Sequence, residues 1–85
     1  MTKKERENRM RRILRKLGCR LMKSRRRRAL YAVVRGSHVE YETDFLEGVE
    51  VCTVFRDAAT AREIGDAKPK VRVQLVEAAL KKLDK

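Results

Sequence analysis

The sequence predicts an α+β domain, and three observations carry that expectation. Met10, Ile13, Leu14 and Leu17 recur at i, i+3, i+4 and i+7, the spacing of a helix with one apolar stripe. Residues 30–43 alternate instead, on either side of Gly36-Ser37, as a hairpin does. Near the C-terminus Leu75, Val76, Ala79, Leu80 and Leu83 return to the helical period. The expected architecture is a basic N-terminal helix, a three- to four-stranded antiparallel sheet and two C-terminal helices packed on the sheet. A chain of 85 residues has room for one modest core, so residues 1–85 are expected to form a single domain.

The first helix has its own start and stop signals. Thr2 followed three residues later by Glu5 is a capping-box pattern, and Gly18 suits the left-handed residue beyond the last turn. Arg6, Arg9, Arg11, Arg12, Arg15 and Lys16 are expected to cover the faces that the apolar stripe leaves. After Gly18 the period shortens to two. Residues 19–22 read as a short strand, and Lys23-Ser24-Arg25-Arg26-Arg27-Arg28 as a basic loop or a charged edge strand.

Gly36-Ser37 fits a two-residue II′ turn, with glycine at the position that needs a positive φ. Such a turn sets Arg35 against His38, Val34 against Val39, Val33 against Glu40, Ala32 against Tyr41 and Leu30 against Thr43. One face would then carry Leu30, Ala32, Val34, Val39 and Tyr41 toward the core. Tyr31, Val33, Arg35, His38, Glu40 and Glu42 would face outward. Residues 44–48 read as a turn, and Val49, Val51, Thr53 and Phe55 alternate as a further strand. Asp57 can cap a short helix over 58–64 ended by Gly65, and Pro69 can open the last helix. The expected core is Ile13, Leu14, Leu17, Leu21, Leu30, Val34, Val39, Tyr41, Val49, Val51, Phe55, Leu75, Ala79, Leu80 and Leu83. Homodimerisation would enlarge it.

Charge narrows the partner class. The formal net charge is +11, and its distribution is lopsided. Residues 1–28 hold 14 Lys and Arg against only Glu5 and Glu7, a net of +12, whereas residues 29–85 come to −1. Between Gly36 and Phe55 there is no Lys or Arg, while Glu40, Glu42, Asp44, Glu47 and Glu50 gather there. A basic segment of this kind meets phosphate first, an acidic protein surface second, and the acidic segment of a second copy third.

No apolar run approaches the roughly 18 residues of a membrane span, and no apolar stretch follows the basic N-terminus as in a signal peptide, so a cytoplasmic protein is expected. Two cysteines, Cys19 and Cys52, with one histidine give no common metal-site spacing, and no cofactor motif is present.

Residues 9–34 resemble a group of small prokaryotic and phage-type proteins in which an Arg-rich helix leads into L-G-x-x-L-x-K-S-R-R-R and a Tyr-bearing strand. The matching residues are Leu17, Gly18, Leu21, Lys23, Ser24, Arg25, Arg26, Arg27 and Tyr31. That resemblance implies one cytosolic domain and no particular activity. Gly36-Ser37-His38-Val39-Glu40-Tyr41 is similar to the G-S-H-x-x-[YF] strand of HicA-like mRNA interferases, small basic domains of double-stranded-RNA-binding type. The resemblance implies that His38 acts as general acid or base in RNA cleavage. From the residues themselves, a histidine at a hairpin end is a surface residue opposite its cross-strand partner.

The function expected first is non-catalytic binding of DNA or RNA through backbone phosphates. The contact set would be Arg11, Arg12, Arg15, Arg20, Lys23, Arg25, Arg26, Arg27 and Arg28, with Tyr31 beside Arg35 as a base stacker. Two alternatives stand beside it. One is a phage-type inhibitor or adaptor that binds a nucleic-acid-processing complex such as a host defence ribonucleoprotein, and the other is an RNA-cleaving toxin using His38.

Overall fold

The structure is a computed structural model that describes residues 1–23 and 30–85. Its elements run α1 (Lys3–Lys16), β1 (Arg20–Lys23), β2 (Tyr31–Arg35), β3 (His38–Thr43), α2 (Leu46–Val54), α3 (Ala58–Asp66) and α4 (Pro69–Leu83). The fold is α+β: an N-terminal helix, a three-stranded antiparallel sheet in the order β1-β2-β3, and helices after it. Backbone proximity divides the chain into two compact units, Met1–Val49 and Glu50–Lys85.

In the first unit α1 begins and ends as its sequence dictates. The Thr2 side chain accepts from the Glu5 N–H at 3.2 Å, and Glu5 Oε1 accepts from the Thr2 N–H at 3.3 Å, so two open donors of the first turn are satisfied reciprocally. At the other end Gly18 has φ 79°. The Cys19 N–H reaches the Leu14 carbonyl at 2.8 Å and the Gly18 N–H the Arg15 carbonyl at 3.1 Å, which closes the helix with a Schellman motif. Met10, Ile13 and Leu14 are buried, as the apolar stripe requires.

The hairpin turns at Gly36, whose φ of 60° is the positive value a II′ turn needs at its first central position. Arg35 pairs with His38 and Val34 with Val39, as the turn dictates. Beyond them the register departs from the expected one. A bulge lies between Val33 and Val34, so Val33 pairs with Tyr41, Ala32 with Glu42 and Tyr31 with Thr43. Glu40 is the extra residue. The bulge turns Tyr41 onto the same face as Val33 and Leu21, where an unbroken ladder would have put it on the face of Ala32 and Val34.

That shift matters because α1 covers the face read from sequence as outward. Glu7 of α1 meets Lys23, whose cross-strand neighbour is Tyr31, so the helix lies against the Tyr31 and Val33 side of the sheet. Tyr31, Ala32, Val33 and Val34 of the central strand are all buried, whereas Val39 is 40% exposed.

Residues 49–55 are not a strand. They belong mostly to α2, and the buried positions Leu46, Val49, Glu50, Thr53 and Val54 fall at helical spacing. Three valines and a threonine give the segment local β propensity, which packing overrides. Leu46 belongs to the buried stripe, so the turn expected at 44–48 shrinks to Asp44 and Phe45. Phe55, expected in the core, is exposed. Three helices therefore follow the sheet rather than two.

In the second unit α3 and α4 form a helical hairpin joined by Ala67 and Lys68. Asp57 caps α3 by accepting from Thr60 Oγ1 at 2.6 Å and from its N–H at 3.4 Å. The helix runs through Gly65 to Asp66, one turn's fraction further than expected. Arg72 of α4 closes its end, donating to the Ala67 carbonyl at 2.9 Å and the Gly65 carbonyl at 3.0 Å. Those bonds place a cation on the negative end of α3 and satisfy carbonyls the helix leaves open. Pro69 sits in the first turn of α4, and Ile64 and Leu80 are buried.

Candidate nucleic-acid interface

The solvent side of α1 is a basic ridge. Lys4, Asn8, Arg11 and Arg15 follow one another at i, i+4, i+7 and i+11, with Arg12 and Lys16 on the flank, and all six are exposed. At 1.5 Å per residue, Lys4 to Arg15 spans about 16 Å, roughly five base-pair steps of a duplex at about 3.4 Å each.

Both acidic residues of the segment are occupied elsewhere. Glu5 is spent in the capping box, whose hydrogen bonds from Thr2 hold its carboxyl below the usual range. Glu7 is turned toward the sheet and buried, where it accepts from Lys23 Nζ at 3.3 and 3.5 Å. Its second oxygen also lies 3.8 Å from Arg11 Nη2, an i, i+4 contact across the edge of the ridge. Arg11 donates to Asn8 Oδ1 at 3.2 Å, which fixes the guanidinium on the outer face. Glu7 is thus turned away from the ridge, whereas Glu5 stays exposed on the flank that carries Arg12 and Lys16. A charge count shows only the excess of cations, not this placement.

Of the residues singled out by sequence, the structure brings Arg11, Arg12 and Arg15 onto this one surface. Lys16, expected on the polar side of this helix, joins them, as do Lys4 and Asn8, which sequence reasoning passed over although the period of 3.6 contains them. Arg9 does not join them, because it is buried on the inner side. Arg20 is exposed but leaves β1 on the face opposite Lys23, away from the α1 side. Lys23 is half exposed, bound to Glu7, with Nζ 5.9 Å from the Tyr31 ring centre. Arg25, Arg26, Arg27 and Arg28 lie outside the described residues.

Tyr31 cannot be the base stacker expected of it. Its side chain is 1% exposed beneath α1, and its buried hydroxyl lies beside the Glu7 carboxylate without a well-formed hydrogen bond among the described residues. Burial, with the Glu7 charge added to it, pushes the phenol up from its ordinary value.

His38 is exposed at the hairpin end, paired across the turn with Arg35. The cation and carboxylate near it are committed to each other, since Arg35 Nε donates to Glu40 Oε1 at 2.6 Å. That bond holds the Arg35 guanidinium more firmly charged. Glu40 is placed there by the bulge, with Cys19 Sγ 4.0 Å from the same oxygen.

No family model, curated protein or solved structure matches the chain. Among the described residues no three His, Cys, Asp or Glu side chains gather as a metal-holding group, and no helix is long and apolar enough to cross a membrane.

Proposed function

We propose that this protein binds nucleic acid through its backbone phosphates, without catalysis, along the outer face of α1. The observation that carries the reading is the ridge of Lys4, Arg11, Arg12, Arg15 and Lys16, with Glu7 withdrawn into a buried ion pair and the exposed Glu5 the one carboxylate left beside it on α1. Arginine forks suit bidentate phosphate contacts, and a rigid, doubly capped helix presents them in one geometry. Arg25 to Arg28 belong to the same contact set on the strength of sequence charge alone. Arg20 and Lys23 contribute less, one facing away from the ridge and the other neutralised by Glu7.

Phosphate binding of this kind releases condensed counterions. The logarithm of affinity should fall with the logarithm of salt by about 0.9 per phosphate neutralised on duplex DNA and about 0.7 on a single strand. Replacing Arg11 and Arg15 together by glutamine should flatten the duplex slope by roughly 1.8. Fluorescence anisotropy over a salt series measures it. A slope unchanged by that double substitution, or no binding of DNA or RNA at low salt, refutes the reading.

A further inference from the structure

Beside the first turn of α1 the first unit holds an open cleft of about 290 Å³, near the lower end of small-ligand sites. Lys3 and Arg6 line one part of it, Asp44, Phe45 and Glu47 another, and Tyr31 lies at its inner wall. The combination is unusual in three respects. Phe45 is 73% exposed, so it does not serve the core. Its carbonyl accepts the first helical bonds of α2, from Gly48 and Val49, which puts it at the N-cap, where a side-chain oxygen is favoured and a phenyl ring satisfies nothing. Finally, cations and carboxylates share the cleft, and Lys3 and Glu47 have no partner among the described residues.

A simple anion would meet Asp44 and Glu47, and a simple cation Lys3 and Arg6. A nucleotide answers both halves, since it has phosphates at one end and, on some bases, hydrogen-bond donors at the other. A base face can stack on an exposed aromatic ring, which is how single-stranded nucleic acid is usually held. Guanine alone among the four bases offers two adjacent N–H donors, N1 and N2, to a carboxylate. Glu47 is the carboxylate of the cleft without a partner among the described residues. Asp44 is already anchored, its Oδ1 accepting from the Leu30 N–H at 3.1 Å, and it fixes the chain that carries Phe45.

We propose that this cleft takes one unstacked guanine of a bound single strand: the base on Phe45, its N1 and N2 donors on Glu47, and its flanking phosphates toward Lys3 and Arg6. The proposal rests on the nucleic-acid reading above and adds a base preference to it. Lys3 and Arg6 lie on the side of the same helix that turns to the sheet, so a strand leaving the Lys4 end of the ridge would reach the cleft by rounding the N-terminus of α1.

The test measures binding of the full chain to a short all-uridine RNA and to the same RNA with its central residue changed to guanosine, adenosine or cytidine. The guanosine strand should bind about tenfold tighter than the all-uridine strand, the size of one stacked and bidentate base contact. Phe45→Ala and Glu47→Gln should each erase that difference; both residues are exposed, so the variants should fold, which circular dichroism verifies. Equal affinity for all four strands overturns the guanine site and leaves the ridge standing. A gain as large for adenosine or cytidine overturns the role of Glu47. Failure of every strand to bind at low salt overturns the nucleic-acid reading itself.

Discussion

Replacing Gly48 by alanine should destabilise the protein, although helix propensity alone says the reverse. Gly48 lies in the first turn of α2, and a methyl group there would overlap Thr43 Oγ1 while standing 3.1 Å from Thr43 Cβ and 3.2 Å from Cγ2. Thr43 has little freedom to yield. Its hydroxyl accepts from the Phe45 N–H at 3.3 Å and faces the Phe45 carbonyl at 3.4 Å, and its backbone is paired with Tyr31. Overpacking of this sort costs about 1–3 kcal/mol. Alanine in place of a helical glycine returns up to about 1 kcal/mol. Because the contact involves a Cβ fixed by the strand and not only a flexible tip, the upper half of the first range applies. The net loss is then about 1–2 kcal/mol, or roughly 4–16 °C in Tm for a domain of this size. Thermal and urea melts of the wild type, Gly48→Ala, Thr43→Ala and the double variant measure it. The double variant should be more stable than the sum of the single losses predicts, since removing Oγ1 and Cγ2 relieves most of the overlap. An unchanged or raised Tm for Gly48→Ala, or strict additivity, would refute the close approach of α2 to the end of β3.

Tyr31→Phe removes a buried hydroxyl that makes no well-formed hydrogen bond among the described residues, so stability should hold or rise by up to about 1 kcal/mol in a urea melt; a loss would show that the phenol donates to the Glu7 carboxylate beside it. The same phenol titrates above its ordinary 10.0 because burial disfavours its charged form. Its stabilising contribution is therefore complete below pH 10 and lost as pH rises through the elevated folded value, which absorbance of the phenolate follows. Glu5 runs the other way: its hydrogen bonds with Thr2 lower its pKa, so the cap contributes above the carboxyl's ordinary 4.5 and is lost as pH falls through the lowered value. Thr2→Ala should abolish that acid-side dependence and increase amide exchange in the first turn of α1. The wild type and His38→Ala should both leave RNA intact and bind it equally, since the nearby Arg35 and Glu40 are bound to each other; cleavage by the wild type that His38→Ala loses would show the opposite.

Much of the candidate interface was legible in the chain. The excess of cations before residue 29, the helical period that carries Arg11, Arg12 and Arg15, and both caps of α1 are local properties, and local chemistry fixes them. So is the Gly36 turn, whose positive φ belongs to glycine and whose two nearest pairs follow from it. What the chain could not disclose depends on which surfaces meet. Alternation along residues 30–43 separates two faces but does not say which one a helix will cover, and α1 took the Tyr31 and Val33 side, where Met10, Ile13 and Leu14 are buried and Glu7 meets Lys23. One extra residue at Glu40 then reassigns every pair beyond it, and nothing local marks that residue as a bulge.

The segment 46–54 shows the same division most plainly. By itself its valines and threonine alternate and lean toward a strand. Burial of Leu46, Val49, Thr53 and Val54 along one helical stripe, with Gly48 admitting Thr43 at close range, is worth more than that small propensity and makes it α2. Periodicity, caps and turn glycines are settled by neighbours in the chain and were decided by the sequence itself. The faces, the bulge and α2 are settled by contacts between residues far apart in it, where packing energies exceed local preference, and only the tertiary structure decided them.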